Sequence, residues 1–322
     1  MKRILLLTLV VCLLAPAAFA DLDGAWTAAV EEKTPDRMYM NITRGKNHNN
    51  GSTVRISDYT GLTRAQIDAA TMTVVHFDLR REAGSAAFEG TFKNGKGAGQ
   101  FTFTANRAYI DAIRNLGLSL DLRGHRQTEE EELFTLAIHD VSTAFIKSMQ
   151  AEGFKVSLEK YLEMRIFDIT PEYIREMRSL GFRNIDADEL VATRIHRVTP
   201  DYVRQMRAAG WDLSLDDLQA SRIHGATPEF AAEMKKLGYT LEFDDLVAFR
   251  IHRVTAEFIN ELKQLGYANI SADDLVAMRI HRVTPDFIRQ LKAAGYNNVP
   301  IDKMVEMRIH NIDAEYLKKM GG

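Results

Sequence analysis

Arg279-Ile280-His281-Arg282-Val283-Thr284-Pro285-Asp286-Phe287-Ile288 decides the fold, because the same arrangement returns every 28 or 29 residues through the C-terminal two thirds of the chain. One column of the repeat reads His139, Phe167, His196, His224, His252, His281 and His310. Another reads Gly153, Gly181, Gly210, Gly238, Gly266 and Gly295, with Gly117 as an earlier member offset by an insertion around Arg123–Gln127. Periods of this length belong to architectures in which a small unit buries its apolar face only by stacking on copies of itself. Seven units and a last half-unit from Asp313 are expected.

Each unit reads as two short helices. Thr199-Pro200-Asp201, Thr227-Pro228-Glu229 and Thr284-Pro285-Asp286 set a threonine cap before a proline and an acid. The hydroxyl accepts one of the unpaired N–H groups of the first turn, and proline removes another. Tyr202, Val203 and Met206 then fall on one face, and Gly210 stops the helix. A large apolar residue follows each such glycine (Phe154, Phe182, Trp211, Tyr239, Tyr267 and Tyr296), which predicts a Schellman ending and a packing role for the aromatics.

The second helix opens at Ser271-Ala272-Asp273-Asp274 or Ser214-Leu215-Asp216-Asp217, with the aspartate at N3 answering the serine cap, and it closes at the histidine column. Phe145, Tyr173, Tyr202, Phe230, Phe258, Phe287 and Tyr316 form a stripe expected on the buried face. Seven stacked pairs predict an α-solenoid on the order of 60–70 Å long. Its ends differ from the standard unit, as caps should: Thr128-Glu129-Glu130-Glu131-Glu132 at one and Asp313-Ala314 at the other.

The segment before the repeats has period two. Met38, Met40 and Ile42, then Val54 and Ile56, then Val75, Phe77 and Leu79, then Phe88 and Phe92, then Phe101 and Phe103 alternate with polar neighbours, as strands do. Asn50-Gly51 and Asn94-Gly95 read as hairpin turns. An antiparallel β-meander of about six strands is expected, with a helical insert near Thr63–Ala69. Gly95-Lys96-Gly97-Ala98-Gly99 joins two strands and precedes no helix, so its glycines serve a hairpin and not a phosphate. The fold class is therefore α+β, mostly α: a small antiparallel β domain over 21–105, then an α-solenoid over 106–322.

Lys2 and Arg3, the apolar run Ile4–Leu14 and Ala18-Phe19-Ala20 have the three-part pattern of a signal peptide covering 1–20. Export to the periplasm or the medium follows as an expectation. The one cysteine, Cys12, lies inside that segment, so the mature chain has no disulfide and no cysteine ligand. Cleavage after Ala20 takes the 41 basic residues to 39 against 44 acidic ones, about −5. That balance argues against nucleic acid as the partner, and no mature stretch is apolar enough to span a bilayer.

No His-Glu-x-x-His, Gly-x-Ser-x-Gly or Walker loop is present. The histidine column is not a metal ladder, because neighbouring repeats lie roughly 10 Å apart while zinc needs ligands at about 2 Å. Each histidine instead ends a helix, complementing its negative end. No cofactor or metal is expected. The arginine column (Arg165, Arg194, Arg222, Arg250, Arg279 and Arg308) precedes the histidines by two residues and is read first as pairing with acids or free carbonyls of an adjacent helix.

Where a second arginine follows, the strip Arg194, His196, Arg197, Arg250, His252, Arg253, Arg279, His281 and Arg282 is the candidate interaction surface, for a protein or peptide with acidic groups. A small-molecule carrier built around Trp26 and the inward aromatics is the alternative. A hydrolase would need His76 or His125 to meet Glu129–Glu132.

The strand Gly97–Phe103, the segment Leu133–Val141 and the Thr-Pro and Arg-Ile-His repeats together resemble the extracytoplasmic C-terminal regions of bacterial antirepressor-type membrane metallopeptidases. They also resemble exported proteins that carry this module alone. The chain lacks the peptidases' membrane helices and zinc motif, so the resemblance implies a sensing or interaction module outside the cytoplasmic membrane, without peptidase activity.

Overall fold

The computed structural model describes residues 22–31, 34–44, 48–122 and 128–320. The expected signal segment with Cys12, and the insertion Arg123–Gln127 with His125, lie outside the described residues. The chain is α+β and divides into two compact units, Met1–Ile166 and Phe167–Gly322.

The first unit is built on a seven-stranded antiparallel sheet: β1 (Leu22–Glu31), β2 (Thr34–Arg44), β3 (His48–Arg55), β4 (Tyr59–Thr60), β5 (Thr73–Arg81), β6 (Gly84–Lys93) and β7 (Lys96–Ala105). The order β3-β2-β1-β7-β6-β5-β4 is not the expected simple meander, because β7 returns to pair with β1. The seventh strand escaped the sequence reading because two residues are too few to show alternation. A helical turn, α1 (Arg64–Ile67), sits where the insert is expected, closed by a Thr63–Gln66 capping box. The sheet curls: the Tyr59 hydroxyl donates to Met40 Sδ at 3.4 Å and Arg64 donates to the Pro35 carbonyl, drawing the β4 end toward β2.

Trp26 fills the curl. Its ring meets Phe77, Phe92 and Phe88 at 5.3, 5.4 and 6.5 Å, and its indole N–H donates to the Gln100 carbonyl at 3.1 Å. Gly90 and Gly99 face each other across β6 and β7 to admit it. A Cβ on Gly90 would stand 2.7 Å from the indole, and one on Gly99 only 1.9 Å from the Glu89 carbonyl oxygen.

Two of the glycine readings therefore need correction. Asn94-Gly95 is the β6–β7 turn, with φ of 49° and 77°, but Gly97 and Gly99 serve close packing inside β7. Asn50-Gly51 is no turn at all; it lies within β3 opposite Ile42 and Asn41, where a Cβ on Gly51 would sit 2.0 Å from the Tyr39 hydroxyl.

The strands end at Ala105, where the change to helices is expected, but the compact unit continues. It takes in α2 (Ala108–Arg114), α3 (Glu129–Ile138), α4 (Thr143–Ala151) and α5 (Leu158–Ile166). Helix α3 covers the sheet, with Phe134 stacked on Phe101 at 5.3 Å and edge-on to Phe103 at 5.1 Å.

The second unit contains α6 (Pro171–Ser179), α7 (Ala187–Ile195), α8 (Pro200–Ala208), α9 (Leu215–His224), α10 (Pro228–Lys236), α11 (Phe243–Ile251), α12 (Ala256–Gln264), α13 (Ala272–Ile280), α14 (Pro285–Ala293), α15 (Ile301–Ile309) and α16 (Ala314–Met320). With α2–α5 these are seven helix pairs and a terminal helix. Alternate helices pack on one another, α7 on α9, α9 on α11, α11 on α13 and α13 on α15, so the pairs stack in register.

The local signals hold almost without exception. Thr170, Thr199, Thr227, Thr255 and Thr284 each accept the N3 N–H of the first helix of their pair. The aromatic after each glycine closes the Schellman bond, as Trp211 N–H does to the Met206 carbonyl at 3.0 Å. At the second helix the N3 aspartate differs from expectation: Asp217 and Asp274 accept from the capping serine hydroxyls instead of reaching the cap N–H. The aromatic stripe is buried from Phe145 to Phe287, but Tyr316 on the terminal helix is 48% exposed.

Gly99→Ala should lose about 2–3 kcal/mol by forcing β6 and β7 apart over Trp26, read as a lower urea midpoint. An unchanged midpoint would mean that the glycine pair is not what seats the indole.

Candidate functional site

The two arginine columns of the candidate strip do different things. Arg165, Arg194, Arg250 and Arg279 donate through Nε to the carbonyls of His139, Phe167, His224 and His252, at 3.1, 3.0, 3.1 and 3.0 Å. Each of those carbonyls stands at a helix end one repeat earlier, where no further turn exists to pair it. The same guanidinium lies over the aromatic of its own pair: Arg165 on Phe145, Arg194 on Tyr173, Arg250 on Phe230 and Arg279 on Phe258, at 4.5 to 4.9 Å. Arg222 and Arg308 stack likewise on Tyr202 and Phe287. At Arg165, Arg194, Arg250 and Arg279 the column is a clamp across repeats, matching the first reading of it, whereas the Arg308 Nε is buried without a hydrogen-bond partner among the described residues.

The histidine column works through its backbone. His139, His196, His252, His281 and His310 are C-caps, and at His139 and His252 the carbonyl is what the next arginine takes. Phe167 serves equally well there, since the clamp does not use the ring. At His139 desolvation, reinforced by the Arg165 charge, pushes the imidazole down to about 4.

The residue after the histidine is the C′ position of a second Schellman motif, confirmed by Val198, Val254 and Val283 N–H bonds to Thr193, Phe249 and Met278 carbonyls at 2.7, 2.8 and 2.7 Å. It demands a left-handed backbone. Gly225 supplies it at φ 73°, while Arg197, Arg253 and Arg282 are held there at 56°, 57° and 58°. These three arginines are exposed and make no side-chain hydrogen bond or ion pair among the described residues.

Sequence reasoning missed the residue between arginine and histidine. Ile195, Ile223, Ile251, Ile280 and Ile309 in the second unit are 50 to 57% exposed, and Ile166 in the first is 47% exposed. The signal was available. Leu275 and Met278 define the buried face of α13, and Ile280 lies about 200° around the helix from Met278.

The other named residues are not gathered into a site. His76 faces Glu89 at 3.7 Å in an exposed pair. Glu129 and Glu130 are taken by Arg107, Glu131 by its capping box and Arg44, and buried Glu132 accepts the Leu122 N–H. Among the described residues no three His, Cys, Asp or Glu side chains cluster as a metal cage, and no helix is long and apolar enough to cross a membrane. Comparison with protein-family models, curated proteins and solved structures returns no match.

Two variants separate the arginine columns. Arg279→Ala should cost about 2 kcal/mol, through a lost charged hydrogen bond and stacking contact. Arg282→Gly, three residues on, should gain about 0.5–1 kcal/mol as left-handed strain is relieved against the entropy glycine adds to the unfolded chain. Equilibrium denaturation of both checks the sign.

His139 gives a pH dependence. Its folded value lies below the unfolded one, so stability is full above about pH 6.5, where neither state binds the proton, and declines as pH falls toward 4. The loss reaches about 3 kcal/mol at most. His139→Phe should flatten that slope in denaturation midpoints measured from pH 7 to 4; an unchanged slope would place its cause elsewhere.

Proposed function

We propose that the chain is a non-catalytic, exported scaffold that binds a protein or peptide through its helical repeats, as a sensing or regulatory module of a bacterial envelope. One observation carries this reading: the same exposed group, an isoleucine with an unpartnered arginine two residues on, recurs at Arg197, Arg253 and Arg282. Repetition of a surface group at a fixed structural position is how stacked-repeat proteins build extended binding faces. Export rests on the N-terminal pattern alone.

Within the candidate strip the ligand-facing members are Arg197, Arg253 and Arg282. Arg194, Arg250 and Arg279 hold the repeats together and are the wrong residues with which to test binding. The carrier alternative is weakened by Trp26, which is 1% exposed and walled in by phenylalanines where a ligand would have to lie.

The chain from Asp21 onward, immobilised and exposed to an envelope fraction at low and moderate salt, should retain a specific protein, and the Arg197→Ala, Arg253→Ala, Arg282→Ala variant should lose it while unfolding at the same temperature. Equal retention by that variant, or recovery of a small apolar molecule and no protein, would refute the scaffold reading.

A further inference from the structure

The isoleucine column has no structural explanation. Every second helix from α3 to α15 carries isoleucine at this position: Ile138, Ile166, Ile195, Ile223, Ile251, Ile280 and Ile309. The column two residues earlier, buried from Leu136 to Met278, varies freely, as Leu136, Met164, Thr193, Ser221, Phe249 and Met278. Core positions that tolerate Thr, Phe and Met beside a solvent-facing position that takes only isoleucine invert the usual order of constraint. Helix formation does not ask for it either, since a β-branched residue is a poorer helix former than alanine, leucine or lysine.

The arginines that follow are equally costly in local terms. Glycine suits the left-handed C′ position and occupies it at Gly225; arginine occupies it at Arg197, Arg253 and Arg282 and makes no side-chain hydrogen bond or ion pair among the described residues. Strain kept at a residue whose side chain has no partner in its own fold points outward. The N2 acids of two of the following helices are engaged within their own helix, Asp201 by Arg204 and Asp286 by Arg289. The acids that start the second helices, such as Asp188, Asp216 and Asp273, stand at the opposite end of those helices.

Resting on the scaffold reading above, we infer that the second unit binds an acidic, aliphatic segment of another protein in extended conformation, its aliphatic side chains on Ile195, Ile223, Ile251 and Ile280 and its carboxylates on Arg197, Arg253 and Arg282. Charge complementarity selects the acid: the free groups of the strip are cations, and burying isoleucine beside an unpaired guanidinium is unfavourable unless a carboxylate comes with it. Length follows from the stack. Layers about 10 Å apart meet an extended chain of about 3.3 Å per residue once in every three residues, so the strip takes about twelve residues.

A random twelve-residue phage-displayed library selected on the full chain from Asp21 tests this. Enriched clones should combine Asp or Glu with Ile, Leu or Val, and synthetic copies should lose at least about tenfold in affinity, by fluorescence anisotropy, for Ile195→Ser, Ile251→Ser, Ile280→Ser and for Arg197→Gly, Arg253→Gly, Arg282→Gly. Both variants should stay folded, the glycine one melting higher than the parent, so lost binding cannot be lost structure. Enriched peptides without acids, or acidic ones that bind both variants as well as the parent, would overturn this inference while leaving a scaffold in place. Isoleucine-dependent flotation with phosphatidylglycerol vesicles, or isoleucine-dependent self-association in sedimentation, with no peptide enriched, would overturn it in favour of a membrane surface or a second copy. Failure to enrich any peptide, together with failure to retain any envelope protein, would remove the scaffold reading itself.

Discussion

Short helices are expensive to end, and that constraint organises the repeats. A helix of nine residues leaves the last four carbonyls without partners in its own backbone, so nearly half of its acceptors would be orphaned. Schellman bonds recover some of them. The carbonyl at the cap itself is recovered from one repeat further on: Arg194, Arg250 and Arg279 reach back to Phe167, His224 and His252 in the second-helix layer, and Arg207 and Lys292 reach back to Leu180 and Leu265 in the first-helix layer at 2.7 and 2.6 Å. In both layers a cation meets the negative end of a helix dipole. Each pair is therefore completed by its neighbour, and stability becomes a sum of neighbour terms.

The core of each pair is matched side chain to side chain. Where the first-helix aromatic is tyrosine, the second helix supplies a hydroxyl: Tyr173 to Thr193 at 2.7 Å, and Tyr202 to Ser221. Where it is phenylalanine, at Phe230, Phe258 and Phe287, the facing positions are Phe249, Met278 and Met307. Thr193 and Ser221 are wholly buried, and a hydroxyl left alone there would cost more than its hydrogen bond returns. The pairing also supports the clamp, because the same aromatic rings carry the arginines. One column thus fills the core with its body and, with its face, steadies the arginine that reaches the preceding repeat.

Most of the repeat was legible because its signals are local. Threonine caps, helix-stop glycines and the following aromatics act within five residues of chain, and the sequence states them openly. The β unit was legible only in part. Trp26 and Gly99 are far apart in sequence, so no spacing rule announces that one exists to admit the other, and Asn50-Gly51 imitates a turn while Gly51 lies close against Tyr39. The pairing of β1 with β7 is likewise a long-range choice that periodicity does not encode. At the candidate surface the residue types were visible but their division of labour was not. Arg194 and Arg197 look alike in a sequence, and only the backbone conformation at Arg197 separates a clamp from a free cation.

That separation follows from geometry alone. Successive helical residues turn by about 100°, so in Arg279-Ile280-His281-Arg282 the first side chain lies along the stack, where Phe258 and the His252 carbonyl receive it. The second is carried to solvent, the third ends the helix, and the fourth is thrown outward by the left-handed turn that the buried Val283 requires. Four adjacent residues thereby join one repeat to the last, present an apolar group, close a helix and present a charge. Because the clamp and the exposed pair share one backbone segment, any copy of the unit that stacks correctly also places its isoleucine and its C′ residue correctly. A surface built this way grows with the number of repeats and keeps its register, and the C′ residue alone remains free to vary, as Asp168, Arg197, Gly225 and Asn311 do.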